Sequence, residues 1–114
     1  MPGNRVLHEH PLLVRIQKVR ERLYGTDRSD HIEEINDWER RAKKSLILMN
    51  AKGHEGFQMI LDFAKMQIQE RNRSLRERRP EDMSPEGMHK YTTERAMDFL
   101  ALDLWAWFLN LFID

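Results

Sequence analysis

The sequence predicts an all-α fold of about four helices. Four stretches carry apolar residues at helical spacings of three and four, and none shows the strict alternation of a half-buried strand. Punctuation is sparse, with five glycines and four prolines in 114 residues, too few for the many turns of a β-sandwich. The two longest helices, the third and fourth, are expected to form an antiparallel hairpin with the two shorter ones packed on it.

Residues 1–10 are polar, contain Pro2, Gly3 and Asn4 and show no periodicity, so they read as a flexible lead-in to a single helical domain over 11–114. Pro11 suits a first helical turn, where its missing N–H costs nothing. Leu12, Ile16, Val19 and Leu23 then form a stripe that Leu13 widens, with Arg15, Lys18, Arg20, Glu21 and Arg22 opposite. Tyr24 and Gly25 are expected to end this helix. Ser29 or Asp30 is the best N-cap for the second, since Glu33 follows at capping-box distance. Ile32, Ile35, Trp38, Ala42, Leu46 and Met49 mark its buried face. Its acidic residues lead and its basic ones trail, matching the helix dipole.

Residues 50–53 should close that helix and open a third. The third buries Phe57, Ile60, Leu61, Ala64, Ile68 and Leu75, flanked by Met59, Phe63 and Met66, and Pro80 ends the segment. Ser84, followed by Pro85 and Glu86, is an N-cap with proline at the first helical position. In the last helix Met88, Tyr91, Arg95, Phe99, Leu102, Trp105, Leu109 and Phe112 align as one stripe. Leu100, Leu104, Trp107, Phe108, Leu111 and Ile113 lie off it.

Composition excludes several classes of function. Nineteen basic residues balance nineteen acidic ones, which argues against a histone-like polycation. The absence of cysteine removes disulfides, zinc–thiolate sites, iron–sulfur clusters and cysteine nucleophiles. His8-Glu9-His10 could share a metal only from an extended chain. Glu86 and His89 form one Glu-x-x-His pair, but a di-iron carboxylate bundle needs two, and His31 to Glu34 runs in the reverse order. No HExxH, Walker A, GxSxG or DxDxDG motif occurs. The expectation is a non-enzymatic protein with no metal and no cofactor. Residues 1–10 lack the apolar core of an export signal, so a cytoplasmic location is expected.

Two features remain. Fifteen of the eighteen residues over 96–113 are apolar, interrupted only by Asp98, Asp103 and Asn110. A membrane span needs about 20 apolar residues, and each aspartate inside one would cost several kcal/mol, so no membrane is expected. A helix apolar nearly all round is either central to the fold or has a second face for a partner. Phe99, Leu102, Trp105, Trp107, Phe108, Leu111 and Phe112 are therefore the candidate interface, rich in the aromatic types that dominate interface cores. This favours a homo-oligomer or larger protein assembly.

The second feature is the run Arg71, Arg73, Arg76, Arg78 and Arg79, a net +4 over nine residues. These arginines are candidate contacts for phosphate or for an acidic partner. From Pro80 onward the chain carries a net −5, so the acidic partner could be the chain's own following segment or a neighbouring copy's. No aromatic residue is interleaved to stack on bases, and nucleic acid is not favoured. A helix-turn-helix around Gly25 fits poorly, because Glu33, Glu34, Asp37 and Glu39 would repel phosphate at the reading end.

Gly53-His54-Glu55-Gly56-Phe57, a long helix, an Arg-rich stretch and a last helix ending Trp107-Phe108-Leu109-Asn110-Leu111-Phe112 together resemble a class of small helical proteins. These are encoded among the virion structural genes of tailed bacteriophages, near portal and capsid genes. The likeness covers residues 52–112, with Glu55 where that pattern has proline. It implies virion assembly or a phage accessory role and carries over no functional residue. The combined expectation is an assembly protein that self-associates through its aromatic C-terminal helix. The alternative is an inhibitor or adaptor that binds one protein or nucleic acid through residues 71–79.

Overall fold

The computed structural model describes residues 10–23 and 31–112. They form four helices, α1 (Pro11–Leu23), α2 (Ile32–Lys52), α3 (His54–Glu77) and α4 (Pro85–Asn110), and no strand occurs among the described residues. The expected all-α architecture is the one observed. The chain divides between Phe63 and Ala64 into two compact units. The first contains α1, α2 and the opening of α3; the second contains the rest of α3 and α4.

In the first unit α1 packs on α2. Leu12, Leu13, Ile16, Val19 and Leu23 are buried, as their spacing requires. Arg20, placed by the sequence on the outer face, is buried instead. It stands four residues after Ile16 and three before Leu23, so it shares their side of the helix. Its guanidinium donates to Asn36 Oδ1 at 3.1 Å and pairs with Glu39 Oε2 at 3.0 Å, fastening α1 to α2. The residues expected to end α1 and cap α2, Tyr24, Gly25, Ser29 and Asp30, lie outside the described residues, as does the lead-in as far as Glu9.

The α2 stripe Ile35, Trp38, Ala42 and Leu46 is buried, with Ser45 beside it, while Ile32 and Met49 are half-buried. Gly53 breaks α2 from α3 at φ 56°, a backbone angle that costs other L-residues energy, and its N–H donates to Met49 O at 2.8 Å. Three residues on, Gly56 lets the two backbones approach closely. A Cβ there would lie 2.8 Å from Ser45 O and from the Leu48 carbonyl carbon. Within α3, Ile60 and Ala64 are buried as expected and Phe57, Leu61, Ile68 and Leu75 half-buried; Phe63 and Gln67 join the buried set.

In the second unit α3 and α4 form the hairpin. Arg71 meets Asp98 and Arg78, just past the end of α3, meets Glu94, earlier in α4, so the helices run antiparallel. The last helical residue of α3 is Glu77, just before Pro80. Ser84 caps α4 as the sequence requires, its Oγ accepting from Gly87 N–H at 3.1 Å with Pro85 at the first position.

α1 has a cap that the sequence reading missed. The Leu12 N–H donates to His10 Nδ1 at 3.1 Å, so the neutral imidazole serves as N-cap acceptor. Burial pushes the His10 imidazole below its ordinary value of 6.5. A lowered histidine pKa means that the fold favours the neutral ring. The cap's contribution is therefore complete above about pH 6.5 and lost as the pH falls through the folded value. His10→Asn supplies an acceptor that does not titrate in this range. Between pH 7.5 and pH 5 the thermal midpoint of the wild type should drop relative to that of His10→Asn; parallel pH profiles would contradict this role.

Candidate interaction surfaces

The phase of α4 decides what the protein can offer a partner. Met97, Asp98, Ala101, Leu104, Trp105 and Phe108 are its buried residues. Phe99, Asp103 and Asn110 are exposed, with Leu102 and Ala106 half-buried between them. Spacings of four, three and four over 99, 103, 106 and 110 place these residues on one outward face. The stripe read from Met88 through Phe99 to Phe112 is thus divided, with Trp105 buried and Phe99 and Phe112 exposed. Leu104 and Phe108, placed off that stripe, are in the core, and Phe99 is outside.

The seven candidate interface residues separate accordingly. Trp105 and Phe108 belong to the chain's own core, their rings edge to face at 6.0 Å between centroids. Leu102 and Trp107 are half-buried. Phe99, Leu111 and Phe112 keep 53%, 52% and 51% of their surface in solvent. Phe112 stacks edge to face on Phe108 at 5.2 Å, and the Arg95 guanidinium lies 5.5 Å from the Phe99 ring centre. The outward face of α4 is therefore apolar with a single carboxylate, Asp103. Among the described residues no cation forms an ion pair with Asp103.

The five arginines also separate. Arg71 Nη1 donates to Asp98 Oδ1 at 2.9 Å, and Arg78 pairs with Glu94 and lies 3.6 Å from Asp98 Oδ2. Ser74 Oγ donates to the same Asp98 oxygen at 2.7 Å. The acidic partner of Arg71 and Arg78 is thus the chain's own following segment. Arg79 donates to the Arg76 and Arg78 carbonyls, both at 3.0 Å, satisfying groups left open at the helix end. Arg73 and Arg76 are exposed, and neither forms an ion pair among the described residues.

Asp98 is the residue that the sequence reading missed. It appeared only as an interruption in an apolar run. The available signal was the basic run on the preceding helix of an expected antiparallel hairpin, which brings residues 71 to 78 alongside it.

The first unit has a groove of about 310 Å³ between α2 and α3. Met59, Ile60 and Phe63 form its apolar side, and Arg40, Arg41 and Lys44 its basic one. Asp37 accepts from Arg41 at 2.8 Å and from Arg40 at 2.6 Å. The Arg41 hydrogen bond, ahead of that from Arg40, holds Asp37 below the usual carboxylate range. Arg41 also stacks over Phe63 at 4.8 Å. Lys44 is exposed and has no carboxylate partner among the described residues.

Among the described residues no three His, Asp or Glu side chains gather where they could hold a metal ion; His8 and Glu9 fall outside them. Nor is any helix among them long and apolar enough to cross a membrane. Comparison with protein-family models, curated proteins and solved structures gives no match.

The Asp98 cluster gives a graded expectation. Asp98→Ala takes from Arg71 and Arg78 the buried carboxylate they share, which costs about 3 kcal/mol for a buried pair broken on one side. Arg71→Ala should cost less, because Asp98 keeps Ser74 and Arg78. Denaturant midpoints of the two variants check the order, and equal losses or a larger one for Arg71→Ala would refute it.

Proposed function

We propose that this protein is a non-enzymatic assembly factor that self-associates through the outward face of α4. The observation that carries the reading is Phe99, a large aromatic residue left half in solvent on a helix whose opposite face already fills the core. Leu102 and Ala106 extend its surface along the helix, and Leu111 and Phe112 add exposed apolar surface at the end. Fully burying one such side chain contributes about 1.5–3 kcal/mol, so a few of them support association. The resemblance to proteins encoded among phage virion genes makes a virion-associated or accessory role part of this proposal.

A second reading rests on Arg73, Arg76 and Arg79, the three arginines of the run that the hairpin leaves without a carboxylate. It makes the protein an adaptor for an anionic partner, nucleic acid included. Steep salt dependence of binding is its signature.

Light scattering over a concentration series distinguishes the first reading. The wild type should exceed its monomer mass of 13.8 kDa, and Phe99→Asp should stay near that mass while remaining helical by circular dichroism. A wild type that stays monomeric at every concentration would sink the proposal.

A further inference from the structure

Self-association through α4 leaves open which surface receives it, and two unpaired charges bear on that question. One is Asp103, exposed on the apolar outward face of α4 and without a cation among the described residues. The other is Lys44, exposed beside the groove of the first unit and without a carboxylate.

We infer that the groove bounded by Arg41, Lys44, Met59 and Phe63 receives the outward face of α4 from a second copy of this chain. The inference rests on the self-association proposed above and deepens it. Phe99 and Asp103 stand four residues apart, so they project side by side from one helix face. The groove sets its own two surfaces side by side in the same way, with Met59 exposed on the apolar side and Lys44 on the basic one, while Arg41, held by Asp37, covers the buried Phe63. An aromatic ring against the apolar side therefore brings the neighbouring carboxylate to the basic side. At about 310 Å³ the groove is at the small end of ligand pockets, a size for one anchoring side chain. Arg95 donates to Leu75 O at 3.4 Å while its guanidinium lies 5.5 Å from the Phe99 ring centre, so one side of that ring is already occupied and the other is the one offered.

The α4 face and the groove are different surfaces, so the contact is heterologous. Each copy has one of each, so assembly either closes, as a reciprocal pair or a larger ring, or continues as an open filament. This distinguishes the proposal from an α4-on-α4 interface, in which one face serves both partners.

The test uses two variants of the full chain. Phe99→Asp disables the donated face, and the double variant Lys44→Glu, Met59→Glu disables the groove; all three positions are exposed, and circular dichroism checks that the helices are retained. Each variant alone should associate at least about tenfold more weakly than the wild type. Mixed one to one, they should form a species of twice the monomer mass and nothing larger, because only one productive contact exists between them. If the groove variant assembles as the wild type does, the groove is not the receptor and the inference fails while self-association through α4 stands. Two monomeric variants that do not combine on mixing overturn it as well. A wild type that never associates overturns both.

Discussion

Asp98 has no exposed surface and sits in the helix hairpin among apolar neighbours. Removing a carboxylate from water costs several kcal/mol, and the cost is recovered only where charged and hydrogen-bonding partners meet it well. Here Arg71, Ser74 and Arg78 do so, two of them within 3 Å. A slip of α3 along α4 by one turn, about 5.4 Å, would strand that charge without partners. Apolar side chains alone tolerate such slips far better. The polar cluster therefore holds the hairpin in one register.

The same cluster decides the rotation of α4. Its apolar residues lie nearly all round, so burial alone gives no preferred inward side. Asp98 and Asp103, five residues apart, point to different sides of the helix. Only the first faces cations on α3, so the helix turns Asp98 inward and leaves Asp103 in water. Phe99, Leu102 and Ala106 go outward with Asp103 as a consequence. The face left outward is thus set by ion pairing, and the core residues Leu104, Trp105 and Phe108 follow.

This explains what could be read from the sequence and what could not. Where a helix has one apolar stripe, as in α1 and α2, the inward residues were legible, because periodicity and burial coincide. Ser84-Pro85 and Gly53 were legible because capping chemistry is local. Arg20 was misplaced because a charged residue inside an apolar stripe counts as polar until its partners on another helix, Asn36 and Glu39, are known. The inward face of α4 was not legible for the opposite reason: too many residues qualified. The basic run was recognised as a unit, yet the hairpin divides it into Arg71 and Arg78, which bind the chain itself, and Arg73, Arg76 and Arg79, which do not. The groove was invisible to any linear reading, since its two sides come from different helices.

Cysteine accessibility measures the rotation of α4 directly. The chain has no cysteine, so a single one introduced at each of positions 97, 99, 101, 103, 104, 106 and 108 reports its own site without background. In dilute solution, thiol labelling should be fast at 99 and 103, intermediate at 106 and slow at 97, 101, 104 and 108. Fast labelling at 104 and 108 with protection at 99 and 103 would mean that the helix presents the other face, and would contradict the account.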